Sequence, residues 1–168
     1  MQVIKERLAK LLSTEHIHVR HSAKARTASF DVKQRILTLP VWKEMDEDLY
    51  DMLTGHEVGH ALFTPSEGWK DAISVDGVNA NILNIVEDPR IEKKIKVRFP
   101  GLNKAFVAGY RTLLKRDFFG PIHDFSKMNV LDRLNMHFKV GASYGVPFAK
   151  EEVWMVKLVD AVDTWEDC

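Results

Sequence analysis

Apolar positions along this chain change period, and the changes mark its elements. From Val3 to Leu12 apolar and charged residues interleave as in an amphipathic surface helix. His16 to His21 alternates with period two and reads as a strand. Arg26 to Phe30 and Arg35 to Leu39 are rich in β-formers, and Asp31-Val32-Lys33-Gln34 between them reads as a hairpin turn. Pro40 ends the second run. The period then lengthens. Leu49, Met52, Leu53, His56, His60 and Phe63 form one stripe, which predicts a helix from about Glu47 to Phe63, capped by Asp46 and stopped by Pro65. Thr64 to Trp69 is expected to be a loop. Val78, Ile82, Ile85, Ile91 and Ile95 predict a long helix over Val78 to Val97, broken by Pro100-Gly101. Further helices fit Lys104 to Lys115, Val130 to Val140 and Glu151 to Trp165, with Gly120-Pro121 and Gly145-Val146-Pro147 in the loops. The outline is α+β: a small antiparallel β-sheet followed by a helical region. A hairpin directly before the first long helix is placed to border a cleft, and its edge strand could take up an extended peptide.

Composition narrows the classes. A chain of 168 residues suits a single domain with a proper core. With 45% hydrophobic residues, 29% charged residues and a formal net charge of zero, it has no electrostatic footprint of a nucleic-acid or membrane-surface binder. No apolar run approaches the roughly 20 residues of a membrane-spanning helix. Its one cysteine, Cys168, leaves no internal disulfide, and the charged N-terminal stretch is unlike a signal peptide, so a cytoplasmic location is expected. The last residues, Asp160 to Cys168, still read as helix, which suggests a fragment of a longer chain or a partner protein beyond its end.

The chemistry concentrates at His56-Glu57-Val58-Gly59-His60. This H-E-x-x-H arises by chance only about 0.02 times in a chain of this composition. Residues four apart share a helix face, so both imidazoles can hold one metal ion while Glu57 points at the water the metal activates. Zn2+ is the expected cofactor, and a catalytic zinc takes three protein ligands with one position open. Gly59 lowers helix stability by about 1 kcal/mol relative to Ala, which makes sense where another chain segment passes close. The extended pattern with a third histidine fails, because Phe63 and Ser66 occupy the required positions. Glu87 and Asp88 are the candidates for the third ligand. They stand in an otherwise apolar helix, where an unpaired carboxylate is costly. Pro89 beside them removes a helix hydrogen bond and should kink the helix there. Tyr110, Arg111 and His123 are candidates for stabilising an oxyanion by residue type alone. His16 and His18 share a strand face but read as a solvated pair, and His21, His123 and His137 as structural or solvated residues.

An HExxH helix followed by an acidic helix resembles the zincin metallopeptidases of the gluzincin type. The segment Asn84 to Glu92 is also similar to metallopeptidase-type domains of phages and bacteria that accompany a von Willebrand factor A domain, a resemblance spanning about residues 27 to 97. It implies a zincin-like fold in which His56 and His60 are ligands, Glu57 is the general base and Glu87 is the third ligand. Glu87 is placed ahead of Asp88 because its longer arm reaches further across a cleft. Asp88 is then the residue that orients a ligand, or itself the alternative ligand. Family members often carry an Asp four residues after the Glu ligand, where this chain has Ile91. The implied activity is zinc-dependent hydrolysis of a peptide or protein substrate, in the host cytoplasm for a phage protein. The alternative is an inactive zincin-like module that binds a protein partner.

Overall fold

The computed structural model describes residues 9–10, 16–122, 124–141 and 144–168. Most of the helix expected over Val3 to Leu12 lies outside them; Ala9 and Lys10 within it are helical, and Ala9 is buried. Three strands come first: β1 (His18–Ser22), β2 (Ser29–Asp31) and β3 (Ile36–Pro40). The hairpin between β2 and β3 is present. The Asp31 carboxylate accepts from the Lys33 and Gln34 N–H groups at 3.0 and 2.8 Å, a side-chain turn of the kind Asp favours. Arg35, at φ 57°, closes that turn in the left-handed region.

The sheet is mixed rather than antiparallel. Its order is β1-β3-β2, with β1 parallel to β3 and β2 antiparallel to it. Alternation in a sequence reveals a strand but not its partner or its direction. Central β3 places Leu37 and Leu39 fully in the core, and β2 is left at an edge.

Six α-helices follow among the described residues: α1 (Glu47–Phe63), α2 (Ser66–Ser74), α3 (Ala80–Arg98), α4 (Leu102–Lys115), α5 (Val130–Val140) and α6 (Val153–Ala161). Asp46 caps α1 by accepting from the Leu49 N–H at 2.7 Å, with Glu47 and Asp48 complementing the positive helix end. The loop expected over Thr64 to Trp69 shrinks to Thr64 and Pro65, because a proline that stops one helix also presets the backbone that starts the next. α3 begins after its cap Asn79 and runs through Pro89. α6 stops at Ala161, short of Trp165, and a separate turn at Trp165–Asp167 is capped by Thr164.

Helix α1 is the axis of the fold. It packs against α4 and α3 and against β2 and β3. Leu49, Met52 and Val58 are fully buried, with Leu37, Leu39, Ile95, Phe106 and Leu113 around them. At about 25 cal/mol per Å² of apolar surface, each such side chain stabilises the fold by about 1.5–3 kcal/mol. Two glycines set the helix spacing. A Cβ at Gly109 would stand 2.7 Å from Met52 Cβ, and one at Gly59 would stand 2.9 Å from Ile91 Cδ1. Gly59 thus lets α3 lie directly on the ligand-bearing turn of α1. No helix among the described residues is long and apolar enough to cross a membrane.

Candidate metal centre

His56 and His60 face the same side of α1, with ring centroids 4.9 Å apart. The contact between Gly59 and Ile91 brings the acidic stretch of α3 alongside them. The carboxylate that faces the Nε2 atoms of both rings is that of Asp88. Its Oδ1 lies 3.3 Å from His60 Nε2 and 3.7 Å from His56 Nε2. Among the described residues, these side chains are the one group of three donors gathered closely enough to share a metal ion, with all ligand atoms within 4.8 Å of one another.

The other ring nitrogens are held from outside. His56 Nδ1 lies 3.0 Å from Glu92 Oε1. Glu92 also takes the Tyr110 hydroxyl hydrogen bond on Oε1 and Lys96 Nζ on Oε2. Burial by itself pushes the Glu92 carboxyl up, but the His56 hydrogen bond and then Lys96 outweigh it and hold it at about 2. An ionised carboxylate only accepts, so His56 Nδ1 carries the proton. His60 Nδ1 lies 3.0 Å from Thr64 Oγ1, and the Thr64 hydroxyl donates its single proton to Glu87. Thr64 can therefore only accept from His60, whose Nδ1 is also protonated. Both rings then turn Nε2 towards Asp88 Oδ1. The two ring nitrogens and the carboxylate oxygen converge on a gap that a proton on Nε2 or a shared metal cation bridges.

The structure turns Glu87 away from the histidines, in contrast to the expectation that it supplies the third ligand. It is fully buried and held by Arg90, whose Nε and Nη2 donate at 2.6 and 2.7 Å. Arg90 also donates to the Phe63 carbonyl at 2.7 Å and to the Asp163 carbonyl at 3.4 Å. Glu87 thus anchors the end of α1 and, through Thr64, orients His60. Glu92 and Thr64, rather than Asp88, stand at the Nδ1 atoms of the two rings.

Glu57 lines the same cavity as the two histidines and is buried. Burial pushes its carboxyl up, and His56 and His60 offset only part of that. A carboxylate raised in this way is better matched to accepting a proton near neutrality. Asp88 moves the other way. Burial opposes its charge, but Lys139 first and His56 next outweigh that and hold it below the usual carboxylate range. Lys139 Nζ donates to Asp88 Oδ2 at 2.7 Å.

The cavity has a volume of about 470 Å³. Ser29 and Phe30 of edge strand β2 form one wall, and Leu113, Phe118 and Phe119 contribute apolar surface. Tyr110 lines it as well, but its hydroxyl is engaged by Glu92. Arg111 is exposed, and His123 lies outside the described residues. His16 and His18 are exposed, and His137 packs against Phe138 and Phe148. Sequence reasoning missed Thr64, Glu92 and Lys139. The first two carried a signal: Thr64 stands four residues after His60 and Glu92 four after Asp88, each one helical turn along the same face. Lys139, 51 residues from Asp88, carried none. Comparison of the chain with protein-family models, with curated proteins and with solved structures finds no match.

Proposed function

We propose that the chain is a zinc-dependent peptidase of zincin type. His56 Nε2, His60 Nε2 and Asp88 Oδ1 hold the metal, and Glu57 is the general base. The observation that carries this reading is the spacing of the donors. Ligands at about 2.1 Å from a tetrahedral zinc stand about 3.4 Å apart. Asp88 Oδ1 stands 3.3 and 3.7 Å from the two imidazole nitrogens, and the longer separation exceeds a hydrogen bond. Two imidazoles and one carboxylate also make an open, catalytic donor set, unlike the closed cysteine-rich sets of structural zinc.

Zinc held there would polarise a scissile carbonyl and acidify the attacking water. The chain's own residues do the rest. Glu57 accepts the proton as the water oxygen bonds to the carbonyl carbon, then passes it to the nitrogen as the C–N bond breaks. Edge strand β2 offers backbone hydrogen-bonding groups to an extended peptide lying along the cavity. A peptide of this kind is the substrate class that the wall of Ser29 and Phe30 favours.

Purified protein supplied with zinc is to be incubated with a mixture of internally quenched peptides, alongside Glu57→Gln. Cleavage that needs zinc and stops on chelation is expected from the wild type. Glu57→Gln should retain zinc yet cleave about 10²–10⁴-fold more slowly. Zinc binding without cleavage by the wild type would favour the inactive partner-binding module instead.

A further inference from the structure

The peptidase reading leaves the negative charge that develops on the scissile carbonyl oxygen without a partner from the protein. A preorganised donor is expected there. None of the three residues suggested by type fills the place: Tyr110 is engaged by Glu92, Arg111 points to solvent, and His123 lies outside the described residues. Thr64 lines the cavity, but its proton is committed to Glu87. Lys139 remains.

Lys139 stands at the end of α5, on a helix separate from both ligand helices. It is the one ammonium or guanidinium group among the described residues that line the cavity, which it shares with His56, Glu57, His60 and Asp88. Its side chain is 13% exposed, too enclosed for an ordinary solvated lysine. The ammonium binds Asp88 Oδ2, while Oδ1 of the same carboxylate faces the two Nε2 atoms. Lys139 is therefore one carboxylate's width from the metal position. It sits 5.5 Å over the Tyr110 ring, which favours the cation. An ammonium has three N–H donors. Asp88 takes one, and among the described residues no other group accepts a hydrogen bond from it.

Resting on the peptidase reading, we propose that Lys139 is a catalytic residue that donates an N–H to the oxyanion as the tetrahedral intermediate forms. When water adds, the carbonyl π pair moves onto oxygen and the proton goes to Glu57. Lys139 offsets the new charge on that oxygen without giving up its proton. When the C–N bond breaks, the oxygen pair reforms the carbonyl and Glu57 protonates the leaving nitrogen. Asp88 keeps the ammonium in place throughout.

The test compares wild type, Lys139→Met and Lys139→Arg on one peptide that the wild type cleaves. It reads kcat and KM separately, zinc affinity by chelator competition, and binding of a phosphinic peptide, whose tetrahedral anion mimics the intermediate. In Lys139→Met, kcat should fall by about 10²–10³-fold with KM and zinc affinity little changed. Phosphinic peptide binding should weaken by a similar factor. Lys139→Arg, which keeps the charge, should recover part of both losses. Wild-type kcat in Lys139→Met would overturn the assignment. So would loss of its zinc, which would make Lys139 a support for Asp88 rather than a catalytic group. Absence of zinc-dependent cleavage by the wild type would instead overturn the peptidase reading, and this assignment with it.

Discussion

Glu87 and Asp88 are neighbours on α3, yet they belong to different parts of the molecule. One step along a helix turns a side chain by about 100°. That turn sends Glu87 into a fully buried pair with Arg90 and sends Asp88 to the two imidazoles. Both carboxylates have a cationic partner, but in different arrangements. Glu87 is neutralised inside the chain, by a guanidinium three residues along the same helix. Asp88 has Lys139 on one oxygen only and turns the other towards the two imidazoles. The completed pair is structural; the incompletely neutralised one marks the candidate chemistry. Reach across a cleft is a poor guide to the ligand when the longer arm is claimed by a local partner.

Removing each charge separately should split the two roles. The largest effect is expected from Asp88→Asn, which keeps an acceptor for Lys139 but removes a metal ligand. Its zinc affinity, read by chelator competition, should fall beyond the ~10–100-fold that loss of an outer partner costs. Glu87→Gln should do the reverse. Zinc affinity should change by less than about tenfold, while stability to urea falls by about 3 kcal/mol, because the buried Arg90 charge loses its counterion. Equal zinc losses in both variants would erase the distinction. Thr64→Val probes the link between the two carboxylates. It removes the acceptor of His60 Nδ1 and the hydroxyl that donates to Glu87 but leaves the Glu87–Arg90 pair, so zinc affinity should fall by about 10-fold with a smaller loss of stability than in Glu87→Gln.

The smallest effect concerns a carboxylate–arginine pair at the surface. Glu152 binds Arg133 through both oxygens, at 2.7 and 2.9 Å. The Arg133 hydrogen bond, followed by that from the Ala149 N–H, holds its carboxyl below the ordinary value of 4.5. A folded-state value below the unfolded one stabilises the fold above the unfolded value, and the contribution is lost as the pH falls. The melting temperatures of wild type and Glu152→Gln should therefore differ slightly at neutral pH and converge below the ordinary carboxylate range. Solvent and salt weaken this half-buried pair, so a gap as large as that of Glu87→Gln would contradict the contrast between fully buried and half-buried pairs.

Local geometry explains what the sequence discloses. The stripe from Leu49 to Phe63 and the Asp46 cap depend on residues within a turn or two of each other, and both are found in α1. The close approach at Gly59 was also legible, although the neighbour there is the Ile91 side chain. The parallel pairing of β1 with β3 was not, because direction is settled by where the chain crosses rather than by alternation. Arg90 stands three residues after Glu87, a spacing at which helix side chains meet. That pairing could have been read from the spacing alone. The contribution of Lys139 depends on how α5 packs on α3, which no local pattern encodes.

The central claim is that Asp88 completes the site. Its most direct measurement is anomalous diffraction at the zinc edge from crystals of the zinc-bound protein. One peak is expected about 2.0–2.2 Å from His56 Nε2, His60 Nε2 and Asp88 Oδ1, with Glu87 still on Arg90. A peak coordinated by Glu87, with its Arg90 pair broken, would contradict the account, as would the absence of a peak between the two histidines.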